Sequence, residues 1–201
     1  MRQIMQAKDK FLEKINLLIL VFVLCFSHIL NAEDVYGKLF NYNNTLKNTS
    51  AHFIQTDLND LQDGKIFFGN NRIKIIYNNP TNLTIILSEK KGMYVNHELK
   101  ETEFFITKKS YIKIFFDIFH KKKRLQNMTI KESNGQIEIS QKTKIDNISY
   151  NISLIYENDP LKLRRLEIVG NDEKIQMGFF DHKIEEFLNK SFFSMVDPYL
   201  N

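Results

Sequence analysis

The chain has 201 residues, 43% of them hydrophobic and 26% charged, with a formal net charge of +4, one Cys, no Trp, 17 Phe and 8 Tyr. That length and balance fit one domain with a sizeable core and exclude intrinsic disorder for the bulk of the chain. Many Lys, Asn and Ile beside only 7 Gly and 3 Pro are the mark of an AT-rich coding sequence, so the basic balance is weak evidence for a nucleic-acid partner and none is expected.

The N-terminus reads as a leader. Arg2, Lys8, Lys10 and Lys14 precede an unbroken apolar run, Leu17–Phe26. A positive stretch before an apolar run of this length predicts a cleaved secretory signal peptide over 1–32, because a membrane-spanning helix needs about 20 apolar residues; an uncleaved single-span anchor reaching Leu30 is the alternative. A cut after Ala32 leaves a mature domain of 33–201. Cys25 follows Leu24 where a lipidation signal needs a small residue, so it reads as part of the apolar run. Without it the mature chain has no thiol and no disulfide. The cut also removes four positive and two negative residues, which brings the net charge to about +2.

After the cut, Val35, Leu39, Tyr42 and Leu46 recur at helical spacing and predict an amphipathic helix over 33–48. From Ser50 the pattern changes to short runs punctuated by Asn, Gly and Asp. Strands are predicted at Ala51–Asp57, Lys65–Phe68, Arg72–Tyr77, Leu83–Ser88, Met93–Asn96 and Glu101–Ile106, with turns at Asp63-Gly64, Gly69-Asn70-Asn71, Asn78-Asn79-Pro80 and Lys91-Gly92. Ser110–His120, SYIKIFFDIFH, breaks this rhythm and is nearly all apolar, either a buried strand or a short apolar helix. Lys121–Arg124 reads as a solvated turn, with contact to anionic lipid headgroups or to an acidic partner patch as the functional reading. Strands resume at Gln126–Lys131, Gln136–Ser140, Tyr150–Tyr156, Lys162–Val169 and Lys174–Phe180. Eleven strands with short links imply a strongly curved antiparallel sheet, an α+β, mainly β fold in one domain.

Chemistry-bearing motifs are scarce. His52, His97, His120 and His182 form no HExxH pair, and no Cys remains for a zinc site. No GxSxG elbow, phosphate-binding Gly loop or dinucleotide fingerprint is present, and Glu185-Glu186 reads as a solvated face. The chain is not expected to be an enzyme, nor to hold a metal or another cofactor. What remains unexplained is surplus apolar surface: Ser110–His120 supplies more aromatic area than one strand or helix face needs. Plain core is the simple explanation. The sharper one is a sheet whose concave face is covered by apolar helices that lift to admit an apolar ligand.

The order of motifs resembles the LolA family of periplasmic lipoprotein carriers. The resemblance runs through Phe53-Ile54-Gln55, then Gly64-Lys65-Ile66-Phe67-Phe68, then Arg72–Tyr77 with Pro80 after a short link. It continues through Leu83–Ser88, Gly92-Met93-Tyr94-Val95, Glu98–Thr102 and Asp159–Ile168 to the closing Phe193-Ser194-Met195-Val196-Asp197-Pro198. Each motif is weak alone; collinearity over nearly all of 33–201 carries the likeness. Two departures stand out. The family's arginine-bearing turn, implicated in latching its lid, is here Gly69-Asn70-Asn71 followed by Arg72, so that role is not carried to Arg72. Lys108 replaces the proline before the family's lid helix.

The resemblance implies an incomplete, half-open β-barrel capped by lid helices. Its hollow would take the acyl chains of lipoproteins from an inner-membrane lipoprotein-releasing ABC transporter and deliver them, as a monomer in the periplasm, to an outer-membrane lipoprotein acceptor. Combined with alternation, it assigns Phe53, Ile75, Tyr77, Ile85, Leu87 and Tyr94 to the hollow and Tyr111, Phe115, Phe116 and Phe119 to the underside of the lid. Helices 33–48 and 110–120 are the lid candidates. The alternative left open is a periplasmic sensor or regulatory module on the same half-barrel, binding lipid or a protein partner.

Overall fold

The computed structural model describes residues 29–57, 60–107, 111–145, 147–171, 174–186 and 188–200, the side chains of 29–34 and of Tyr111 excepted. The expected leader therefore lies outside the described residues, apart from the backbone of its last four. By internal contacts the chain divides into Met1–Leu39, whose described part opens helix α1 (Ile29–Thr45), and Phe40–Asn201, which holds the end of α1 and everything after it. Among the described residues no helix is long and apolar enough to cross a membrane.

Helix α1 stops at Thr45, whose hydroxyl donates to the Tyr42 carbonyl at 2.7 Å. Asn48, at φ 63°, occupies the left-handed region that Asn tolerates and turns the chain into the sheet. The strands are β1 (Thr49–Asp57), β2 (Asp60–Gly69), β3 (Arg72–Asn79), β4 (Leu83–Leu87), β5 (Lys91–Asn96), β6 (Glu101–Ile106), β7 (Thr129–Ser133), β8 (Gln136–Ile145), β9 (Ile148–Asn158), β10 (Leu161–Val169) and β11 (Lys174–Ile184). Strands β1–β6 and β7–β11 form two meanders, joined where β1 pairs antiparallel with β11. The result is an 11-stranded antiparallel sheet with β6 and β7 at its two edges, mainly β and not closed into a barrel. The chain crosses from one edge to the other through α2 (Tyr111–His120) and α3 (Lys122–Gln126).

Alternation places the core on one face. Ala51 and Phe53 on β1, Ile66 and Phe68 on β2, Ile73, Ile75 and Tyr77 on β3, and Ile152, Leu154 and Tyr156 on β9 are buried there. The other face buries less, but Ile86, Met93 and Val95 form a small cluster on it, against which Met195 packs. Ile155, out of phase with its strand, is buried as well, next to a β-bulge between Leu163 and Arg165. Its side chain points to that second face.

Three local expectations differ from the structure. Asp63 and Gly64, expected as a turn, lie inside β2 beside a register shift. Glycine is required there, because a Cβ would lie 2.1 Å from the Ile76 carbonyl oxygen and 2.6 Å from the Phe53 ring. Lys91 and Gly92 belong to β5, and the turn before them is closed by Ser88 N–H donating to the Lys91 carbonyl at 3.0 Å. The charged run is not a solvated turn. Lys122–Gln126 forms one helical turn because Leu125 and Met128, both buried, are drawn into the core. The strand expected from Gln126 consequently begins at Thr129.

Candidate functional site

Helix α2 is apolar on nearly every side. Ile114, Phe115, Phe116, Ile118 and Phe119 are buried, and its polar residues Lys113 and Asp117 pair with each other one turn apart. Phe119 meets Phe68 of β2 with ring centroids 5.1 Å apart and Phe115 at 5.0 Å, so the helix lies over the apolar face of the sheet.

A ring of polar contacts fastens α2 at its ends. Asn43 of α1 donates to the Ile118 carbonyl at 3.1 Å, one of the carbonyls that a helix end leaves unpaired. The same side chain accepts from the fully buried Tyr156 hydroxyl at 3.3 Å, and burial pushes that phenol's pKa far up. His120 stacks on Phe116 with centroids 4.1 Å apart, and its Nδ1 lies 2.8 Å from the Phe116 carbonyl oxygen. Burial is the largest influence on this imidazole and lowers its pKa, only partly offset by the Phe116 and Gly69 carbonyls. Lys121 bridges Glu89 at 2.6 Å and Asp117 at 3.3 Å. Before the helix, Thr107 donates from its hydroxyl to the Glu89 carbonyl at 3.0 Å and from its N–H to that of Lys90 at 3.3 Å.

Beneath α2 lies a hollow of about 130 Å³. Ile75, Tyr77, Ile85 and Leu87 from β3 and β4 form one wall, and Leu166, Ile168, Ile175 and Met177 from β10 and β11 form the opposite one. Ile112 and Phe115 of α2 close the space. Gln55 supplies the polar element, with its Oε1 accepting from the Tyr77 hydroxyl at 2.9 Å and its Nε2 donating to Gln62 at 3.2 Å. Among the described residues the lining holds no group that is charged at neutral pH. Such a space suits an apolar body with at most one polar atom. Among the described residues no cluster of His, Cys, Asp or Glu is arranged to hold a metal ion.

Of the residues assigned from sequence, Ile75, Tyr77, Ile85, Leu87 and Phe115 converge on the hollow. Phe53 stands behind it, fully buried and edge-on to Tyr77 at 5.0 Å. Tyr94 pairs across the strands with Ile85 but is not part of the lining. Phe116 and Phe119 anchor α2 instead of facing the hollow, and the Tyr111 side chain lies outside the described residues. Of the lining left unassigned, Gln55 comes from β1, Ile112 from α2, and the opposite wall, Leu166, Ile168, Ile175 and Met177, from β10 and β11. The alternation Leu166-x-Ile168 and Ile175-x-Met177 was the available signal for it, but only the β1/β11 pairing brings those strands across from β3 and β4. Arg72 is turned away, its guanidinium donating to the Phe193 carbonyl at 3.1 Å beside the C-terminal segment.

No family model matches the chain, and no curated protein matches it. Among solved structures it is similar to an uncharacterized conserved protein from Thermus thermophilus, with a TM-score of 0.50 at 5% identity over 78% of this chain and 89% of that one. LprF from Mycobacterium bovis aligns with a TM-score of 0.38 at 13% identity, over 80% of this chain and 96% of that one. At these identities the likeness is one of fold alone, and it rests on the first of the two.

Proposed function

We propose that this protein is a non-enzymatic carrier that shelters acyl chains of lipoproteins in the hollow under α2, as the resemblance to LolA-type carriers implies. The observation that carries the reading is an apolar hollow roofed by an almost wholly apolar helix that links the two free edges of an open sheet. Each buried methylene is worth about 0.8 kcal/mol, so a sixteen-carbon chain in water costs on the order of 10 kcal/mol. That gap is what an escort across an aqueous compartment must close.

The size of the hollow sets the mechanism. At about 130 Å³ it is smaller than the roughly 300–1,000 Å³ of ordinary ligand pockets and comparable to a cavity that holds one benzene. The described conformation is therefore the closed, self-filled one, and cargo enters only when α2 lifts. The empty protein buries the same apolar groups that the cargo would cover, so net affinity is moderate and release is possible. Export to the periplasm by the expected leader, loading from an inner-membrane ABC transporter and transfer to an outer-membrane acceptor complete the proposed route.

Mass spectrometry of the native protein purified from its own cells tests the reading. The expected result is co-purifying diacyl or triacyl species on a chain that begins near Glu33. A lipid-free chain still carrying residues 1–32 overturns it.

A further inference from the structure

A larger cleft, about 510 Å³, lies away from the hollow. It forms where Asn48 in the α1–β1 turn, the β2–β3 turn and the start of β5 meet the C-terminal segment 188–196. Its cations are Arg72, Lys91 and Lys190, and among the described residues its lining contains no carboxylate. The neighbouring acids are already engaged: Glu89 by Lys121 at 2.6 Å, and Glu185 by Lys65 at 2.8 Å and Ser50 at 2.5 Å. Both carboxyls are held below the usual range, chiefly by those lysines. Among the described residues no carboxylate pairs with Arg72, Lys91 or Lys190, so three positive charges share the cleft without a counter-charge.

The rest of the lining supplies hydrogen-bond donors and an apolar wall. Asn48, Asn70 and Asn189 carry amides into it. The Asn189 Oδ1 is used by the Phe192 N–H at 3.0 Å and the Ser191 hydroxyl at 2.6 Å, which leaves its NH₂ to donate. Phe193, Met195 and Val196 form the apolar side. The segment is built in place. The Arg72 guanidinium holds the Phe193 carbonyl, Lys74 holds that of Phe192 at 3.2 Å, and the Phe193 ring covers Gly69, where a Cβ would lie 2.5 Å from it. Thr102 of β6 donates to Asp197 at 2.8 Å, which ties the chain along the face that also carries Phe104 and Ile106. These two are 55% and 71% exposed, and Ile106 pairs with Lys91 of the cleft. An apolar strip therefore continues from the cations to the sheet edge.

We propose that this cleft is a second binding site, on the face opposite the hollow, for the phosphate ester of an anionic amphiphile. The phosphate sits among Arg72, Lys91 and Lys190, and the adjoining alkyl portion lies on Met195, Val196 and Ile106. A planar guanidinium and two ammonium groups match a tetrahedral group carrying more than one charge better than a single carboxylate. The site does not depend on the carrier reading, since it shares no lining residue with the hollow.

The test is titration of the purified chain, followed by backbone amide NMR shifts, with octyl phosphate, octyl glucoside and inorganic phosphate, each below micellar concentration. Octyl phosphate is expected to shift amides of 70–72, 91 and 190–196 and to bind more tightly than inorganic phosphate at the same amides. The double variant Lys91→Gln/Lys190→Gln removes two exposed side chains with no ion-pair partner, so its melting midpoint stays unchanged while octyl phosphate binds about tenfold or more weakly. Shifts confined to the walls of the hollow, equal binding of octyl glucoside, or full affinity in the double variant would each overturn the proposal. Equal affinity for inorganic phosphate would overturn its amphiphile half.

Discussion

Ile85→Glu is the sharpest test of the hollow. Ile85 lies between Ile75 on β3 and Tyr94 on β5, faces the hollow and is only half-buried, so the empty protein can leave a new carboxylate in contact with water. An acyl chain laid over it removes that water. The carboxylate then either stays ionised, at an effective cost of several kcal/mol, or takes up a proton, which at pH 7 from an ordinary Glu pKa of about 4.3 costs about 2.7 pK units of 1.36 kcal/mol each. The cheaper route limits the loss of binding, which puts it at about 3–4 kcal/mol, roughly a hundred- to a thousandfold. The assay is titration with a fluorescent fatty acid, beside lipid content by mass spectrometry and a thermal melt to show that the fold persists. A variant that melts like the wild type and binds within threefold of it would refute the placement of the cargo.

Other outcomes follow from the same packing. Asn43→Ala leaves the Ile118 carbonyl and the Tyr156 hydroxyl without this partner, so stability should drop by about 1–3 kcal/mol for each group left unpaired, with faster amide exchange in α2; unchanged exchange there would refute its role as a fastener. Gly64→Ala forces a Cβ to 2.1 Å from a backbone carbonyl that cannot yield without moving β3, and the expected result is insoluble or unfolded protein, whereas a native-like melt would show that β2 and β3 pair differently. Burial lowers the pKa of His120 and His182 below the ordinary 6.5, so the unfolded chain binds more protons once pH falls under that value. Stability is full above about pH 6.5 and declines below it. A His120→Phe/His182→Gln variant should show a flatter melting profile between pH 6.5 and 5, above the range where Glu89 and Glu185 lose their charge, and an equally steep one would exclude these residues as the cause.

Much of this fold is legible in the chain because alternation is a property of neighbouring residues. Ile73-x-Ile75-x-Tyr77 and Ile152-x-Leu154-x-Tyr156 announce strands with one wet and one buried face, and each of the eleven strands overlaps a run expected as a strand, although the edge strands β6 and β7 bury no residue. The same rule places Ile75, Tyr77, Ile85 and Leu87 on one surface. It fails at Gly64, where a glycine that reads as a turn serves a close approach of two strands, and at Lys122–Gln126, where buried Leu125 and Met128 outweigh three cations.

The phenylalanines show where local pattern stops. Phe115, Phe116 and Phe119 stand out in the sequence as surplus apolar area, yet only the fold separates their duties: Phe115 faces the hollow, Phe119 docks on Phe68, and Phe116 stacks under His120. The far wall of the hollow and the cationic cleft were likewise beyond reach. Both depend on pairings between residues more than a hundred positions apart, β1 with β11 and Arg72 with Phe193. Short-range periodicity determines which face of an element is apolar. Which faces meet, and which charges converge without a partner, is decided only when the sheet is assembled, because the free energy of those contacts depends on the whole fold at once.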